Sequence, residues 1–499
     1  MNAAEDILLG FYLAALFSLF VYGLNCYFLM IFYRINLPKA KHRQQSLKTK
    51  FSEMLPLTGW PRVTIQLPIF NERYVAERLV KAACQIDYPK ELLEIQVLDD
   101  STDDTVEIAG AVVQEMREQG FDVNHLHRTV RTGYKAGALK EGLKSAKGEF
   151  TGIFDADFVP SQDFLRKTIP YFVDPEVGMV QTRWGHLNSE YSMLTRAQSM
   201  GIDGHFGVEQ AARSWGGLFM NFNGTAGIWR KKTIDDAGGW QSDTLTEDLD
   251  LSYRAQLKGW KLEFAPEVVC PAELPVTING FKSQQHRWAK GSIETAKKNL
   301  GRLFKAKLPL LVKIQSLLHL THYMVHPLMI IVVLTSIPML FTKWFFISLS
   351  YPLLFFTLFC LATFGPSNMY IFSQRIFYPD WKKSIKYLPF LMCLGTGISV
   401  NNTKAILQAL LGFKTGFVRT PKYGIESKED TWYGKLYSIP FSATSIIELI
   451  LGLYSLAGLL LFLLFSKYFI SPFLLIYTAG FFYVFSLSVL HGYAHARKN

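Results

Sequence analysis

Four short groups of residues in this 499-residue chain carry side chains suited to handling a phosphorylated substrate and moving a proton. Two are acidic and fall just past apolar runs: Asp99, Asp100, Asp103 and Asp104 after residues 94–98, and Asp155 with Asp157 after residues 150–154. Carboxylates two residues apart beyond a strand end can converge on a hard divalent cation that also holds phosphate oxygens. Aspartates equally serve turns and helix caps, which is the reading adopted for Asp103 and Asp104 at the opening of the next helix. The third group is Thr246, Glu247 and Asp248, ahead of a helical stretch at 249–257. A helix N-terminus favours negative charge, so Asp248 is expected to stay ionised and able to accept a proton; plain capping would place it there too. The fourth is Gln284, Gln285, His286, Arg287 and Trp288. Arg287 could grip a phosphate and Trp288 could stack on a sugar ring, although a basic and aromatic stretch beside a membrane segment also makes an interfacial anchor.

The elements that position these groups read as short apolar strands alternating with amphipathic helices. Strands are predicted at 63–67, 94–98, 123–126 and 150–154, with helices at 74–85, 105–119 and 136–146 between them. This alternation predicts a doubly wound, mostly parallel sheet. Such sheets bind ligands beyond the carboxyl ends of their strands, where both acidic clusters fall.

Composition divides the chain. Hydrophobic residues make up 49% and charged residues 19%, which excludes a disordered chain. The apolar residues crowd into the first thirty-odd and the last two hundred positions, so the α/β unit is expected as an insert in an α-helical multi-pass membrane protein. Residues 7–32 are long enough to cross a hydrocarbon core of about 30 Å, with Glu5 and Asp6 before them and Arg34, Lys39, Lys41 and Arg43 after. This reads as a retained anchor with its N-terminus outside and the α/β domain in the cytoplasm. Four further spans are expected at 323–341, 344–364, 442–465 and 469–490, with the broken apolar segment 387–413 at the interface and the final basic residues inside. The resulting plan is an anchor at 1–35, a catalytic domain at 50–305 and a membrane region at 306–499. The formal net charge of +11 is assigned to cytoplasmic flanks rather than to nucleic acid, since no dense basic face with interleaved aromatics occurs. The five scattered cysteines form no zinc or disulfide pattern. His319, His322 and His326 read as core or interfacial residues.

Taken together and in order, Pro68 to Glu72, Asp99-Asp100, Asp155 with Asp157, Thr246 to Asp248 and Gln284 to Trp288 resemble the family 2 glycosyltransferases, and more narrowly the cellulose synthase and hyaluronan synthase superfamily. The segments around Lys135, Asn223-Gly224-Thr225, Gly238-Gly239-Trp240 and Glu273-Leu274-Pro275 are most similar to cellulose-synthase-like A proteins, the mannan and glucomannan synthases. The resemblance implies a GT-A fold and an inverting transfer from a nucleotide sugar, GDP-mannose or UDP-glucose. It implies that Glu72, Asp99, Asp100 and Lys135 contact the nucleotide sugar, that Asp155 and Asp157 hold Mg²⁺ or Mn²⁺, and that Asp248 is the general base. Gln284 and Arg287 would steady the pyrophosphate, while Asn223, Thr225, Glu247 and Trp288 would border the acceptor.

Residues 417–422, with Thr420 and Lys422, resemble the gating loop of cellulose synthases, with Arg419 in place of the usual valine. As a gate, Thr420 and Lys422 would close over the diphosphate; as a basic loop, residues 414–435 would simply obey the positive-inside rule. The expected activity is a processive β-glycan synthase that exports its product through the membrane bundle, in a bacterial cytoplasmic or eukaryotic Golgi membrane. A lipid acceptor, ceramide or polyprenyl phosphate, is the alternative. A transporter with a nucleotide-sensing domain is a third reading, against which stands the lack of repeated halves.

Overall fold

The computed structural model describes residues 3–342, 350–416, 418–437, 439 and 442–496; the start of the expected 344–364 span, Phe417, Arg497 and Lys498 lie outside the described residues. The chain opens with α1 (Ala3–Thr58), a single helix of 56 residues and about 84 Å. The expected anchor at 1–35 is thus the first part of a longer rod. Its basic second half lies on the α/β domain: Arg43 pairs with Asp174 at 2.9 Å and Glu263 at 2.7 Å, and Lys48 pairs with Glu267 at 3.0 Å.

Next come β1 (Val63–Ile69), α2 (Ala76–Cys84), β2 (Leu93–Asp99), α3 (Thr105–Glu118), β3 (Asp122–His127), α4 (Tyr134–Ser145) and β4 (Phe150–Ile153), as the periodicity predicts. The second half adds α5 (Phe164–Thr168), β5 (Val177–His186), α6 (Met193–Gly204), α7 (Ala211–Trp215), β6 (Gly227–Arg230), α8 (Lys231–Asp236), α9 (Glu247–Leu257), β7 (Lys261–Ala272) and α10 (Ile278–Lys305). One seven-stranded sheet results, ordered β3-β2-β1-β4-β6-β5-β7. The first four strands are parallel, and β6 runs antiparallel to both β4 and β5. All residues of β1 and β2 are buried, as expected for central parallel strands covered on both faces. This is the mostly parallel, doubly wound GT-A type architecture that the sequence predicts.

The remaining helices are α11 (Leu310–Thr321), α12 (Val325–Leu340), α13 (Ser350–Phe377), α14 (Leu388–Gly397), α15 (Ser399–Leu411), α16 (Thr444–Leu464) and α17 (Ser471–Ala496). Among the described residues, four helical stretches are long and apolar enough to cross a membrane: one each in Ala3–Thr58, Leu310–Leu340, Thr444–Leu464 and Ser471–Gly492. The apolar segment 387–413 forms α14 and α15, of 10 and 13 residues, each shorter than the roughly 20 residues a crossing takes. Helices α1 and α13 touch through backbone at Gly23, where an added Cβ would lie 2.6 Å from Leu361 O.

Candidate active site

Beyond the carboxyl ends of β1, β2 and β4 lies an open cleft. Its walls are built from strand-end turns, the start of α9, the middle of α10 and residues 419–422. The turn after β1 places Asn71 at φ 53°, a left-handed conformation that asparagine tolerates. The Asn71 amide donates to Ser101 Oγ at 2.9 Å, and Asn71 Oδ1 accepts from the Thr102 amide at 2.8 Å. This staple delivers Glu72 into the cleft.

Thirteen of the expected site residues line it. Asp100 takes a two-pronged contact from Arg128 at 2.7 and 2.6 Å. Lys135, expected to meet nucleotide or diphosphate, donates to Asp155 Oδ1 at 2.5 Å and Gly224 O at 2.9 Å. Lys422 Nζ lies 2.5 Å from Asp157 Oδ1 and 3.4 Å from Glu72, whose other neighbour is Arg419 Nη1 at 3.2 Å. Arg287 donates to Thr420 Oγ1 at 3.0 Å. Asn223, Glu247, Asp248, Gln284 and Trp288 complete the set. Residues 419–422 therefore sit in the cleft itself, with two lysines on the paired aspartates.

Asp99 and Thr225 lie behind the wall instead. Asp99 is fully buried; it accepts from the Ser101 amide at 2.8 Å and bonds His125 Nε2 at 2.9 Å. Thr225 Oγ1 accepts from the Asp155 amide at 2.8 Å and so fixes the paired-aspartate turn. Asp103 makes a turn contact, accepting from the Thr105 amide at 3.0 Å, whereas Asp104, at the N-cap of α3, makes no capping bond and pairs with Arg73 at 2.7 Å.

Electrostatics differ from the sequence expectation at one place. Asp248 at the start of α9 accepts from the Leu249 amide at 2.8 Å, yet burial and the neighbouring Glu247 push its carboxyl up to about 7. Desolvation outweighs the helix N-terminus. Burial raises Glu247 as well. It raises Asp157 against the pull of Lys422, whereas at Asp155 it is overcome by Lys135 and Lys422, which hold the carboxyl below its usual range.

Sequence reasoning assigned no role to several residues now on the cleft wall. Glu273 accepts from the Tyr423 and Gly424 amides, both at 2.9 Å, anchoring the 418–437 segment. Trp184 and His186, from the end of β5, line the opposite side. Trp184 sits in a run of aromatics with Phe158, Phe206 and Trp288, the last at 6.4 Å between ring centroids. An aromatic and a histidine two apart at a strand end were the available signal.

Residues 61–291 match the model of the family described as "Glycosyltransferase like family 2". A glucomannan 4-beta-mannosyltransferase 2 of Arabidopsis thaliana is 44% identical over 260 residues, 51% of this chain and 49% of that protein. A glucomannan 4-beta-mannosyltransferase 1 of Cyamopsis tetragonoloba is 42% identical over 284 residues, 56% and 54% of the two chains. The chain spans about half the length of the curated relatives it matches. Among solved structures, the mannosyltransferase PcManGT from Pyrobaculum calidifontis in complex with GDP-Man and Mn²⁺ aligns at a TM-score of 0.46 with 19% identity, covering 77% of this chain and 100% of that one. The strand order and the cleft at the strand ends agree with that match, so residues 61–291 are similar to family 2 glycosyltransferase domains.

Proposed function

We propose that the chain is a membrane-embedded inverting hexosyltransferase that moves a hexose from a nucleotide sugar to a growing β-glycan. The observation that carries this is the meeting, in one cleft, of a carboxyl titrating near neutrality with a paired-aspartate turn and a set of cationic donors. Asp248 takes the proton of an acceptor hydroxyl; that oxygen bonds to the anomeric carbon as the bond from carbon to the diphosphate oxygen breaks on the opposite face. The nucleoside diphosphate leaves, and an α-linked donor gives a β-linked product. A pKa near 7 suits a general base at neutral pH. Arg287, Gln284 and Lys422 bind and orient the diphosphate, and Asp100 and Glu72 border the nucleotide and sugar. Asp99 and Thr225 act through the groups they hold in place.

The donor set also fits Mg²⁺ or Mn²⁺. Among the described residues no three His, Cys, Asp or Glu side chains group as a metal site. Asp155 and Asp157 would hold the ion together with phosphate oxygens and water, as such cations are commonly held. When bound, the ion neutralises charge on the leaving diphosphate. Lys135 and Lys422 place positive charge on the same carboxylates, so these two side chains would have to shift for the aspartates to hold an ion.

The relatives' names favour a mannosyl donor and a glycan acceptor. We place the catalytic domain in the cytoplasm, with the glycan leaving through the membrane helices. The test supplies GDP-mannose, UDP-glucose, UDP-galactose and UDP-N-acetylglucosamine separately, each radiolabelled, to the protein in nanodiscs with Mg²⁺ or Mn²⁺. Label in a size-excluded glycan, lost in Asp248→Asn, is the expected result. Label extracted into organic solvent would make the acceptor a lipid and overturn the glycan reading.

A further inference from the structure

Trp184 and His186 occupy positions i and i+2 at the end of β5, past a break in register with β7 between Thr182 and Arg183. Residues two apart on a strand share a face at roughly 7 Å spacing, and both residues line the cleft. Each carries one ring nitrogen that is closed off from water and has no hydrogen-bond partner among the described residues: Trp184 Nε1 and His186 Nδ1. The His186 side chain is only 5% exposed. Buried polar atoms of this kind are normally satisfied, and two on residues of one cleft wall fit a ligand that would supply the missing bonds.

Their chemistry states what that ligand offers. His186 Nε2 lies 3.0 Å from Asp203 Oδ1, and the other oxygen of Asp203 accepts from Gln374 Nε2 at 2.8 Å. An acceptor-only carboxylate fixes the imidazole proton on Nε2, which leaves Nδ1 as a bare acceptor. Trp184 Nε1 can only donate. One donor and one acceptor side by side match hydroxyl groups, each of which both gives and takes a hydrogen bond. Trp288, 6.4 Å from Trp184 between ring centroids, adds an aromatic face against which a sugar ring packs.

We infer that Trp184 and His186 form a hydroxyl-reading subsite for the sugar at the acceptor end of the glycan, and that they select a carbohydrate over a lipid acceptor. This rests on the glycosyltransferase reading above. Acceptor dependence is measured on the full chain in nanodiscs with the donor that the unmodified protein uses, taking mannobiose and cellobiose as soluble acceptors and ceramide and a polyprenyl phosphate as lipid ones. Trp184→Phe keeps an aromatic ring and removes the N–H together with part of the indole; His186→Phe removes the acceptor nitrogen. Each is expected to raise KM for the disaccharide about tenfold, with the donor KM moved less than twofold. Thermal unfolding checks that both variants fold. An unchanged disaccharide KM in a folded Trp184→Phe, or transfer to the lipids alone, overturns this inference while leaving transfer itself intact. No nucleotide release from any donor by the unmodified protein overturns the glycosyltransferase reading and this inference with it.

Discussion

Burying Asp248 beside Glu247 works against its ionisation, and the site tolerates this because a base with a pKa near that of its surroundings transfers protons well. The same burial has a consequence for stability. An unfolded aspartate titrates near 4, whereas Asp248 is pushed up to about 7 in the fold, so unfolding releases a proton between those values. Its contribution therefore falls as pH rises from about 4 to 7, and the loss is complete above 7. Asp248→Asn is predicted to abolish transfer and to raise the melting temperature at pH 8 while changing it little at pH 4, measured by thermal unfolding in nanodiscs. An Asn variant that melts lower at pH 8 would refute this. The identity of Asp248 was legible in the sequence; its pKa was not, because the burial that raises it, and the opposing charge of the sequence-distant Lys135, exist only in the folded cleft. Glu273, Trp184 and His186 escaped for the same reason: their meaning lies in the loop or the cleft that they meet.

Helix α10 carries Gln284, Arg287 and Trp288, and its register is set by an ion pair near its start. Lys282 Nζ lies 2.7 Å from Glu448 on α16 and donates to Ser488 on α17 at 2.8 Å, with Lys282 5% exposed and Glu448 fully buried. Removing one member of such a pair leaves a buried charge and costs about 3–5 kcal/mol, whereas replacing both with apolar residues is often neutral. Lys282→Met is thus predicted to lower stability by roughly that amount, and Lys282→Met with Glu448→Leu to recover most of it. Denaturation of the two variants decides, and an equal loss in both would contradict the account. At this scale the elements through β4 follow the sequence periodicity closely, because β1, β2 and β3 pair in parallel through one helix each and β4 joins the other edge of β1 in parallel. Between Phe154 and the helix at 249–257 the sequence reading names no element. β6 has only four residues, and its antiparallel place between β4 and β5 depends on partners far along the chain rather than on its own pattern.

For the whole molecule, α1 links a stretch long and apolar enough to cross a membrane to the sheet domain, on which its basic second half makes ion pairs. Basic residues follow position 33 and recur at 374–386, and the preference of such residues for cytoplasmic flanks predicts that both stretches share the cytoplasmic side. A cysteine introduced at Lys382 should react with a membrane-impermeant maleimide only in inside-out vesicles, and labelling in right-side-out vesicles would invert the topology. The length of α1 could not be read from hydropathy, which ends with the apolar run near residue 32 while helical hydrogen bonding continues to Thr58. The central claim, that this fold places a neutral-range base against a nucleotide sugar, is tested most directly by the pH dependence of kcat/KM for transfer, with Asp248→Asn as control. Because the ionised form is the active one, the rate should be full above pH 8 and fall tenfold per unit below an inflection near 7, with no transfer by the variant at any pH. A profile flat from pH 5 to 8, or an active Asn variant, would contradict it.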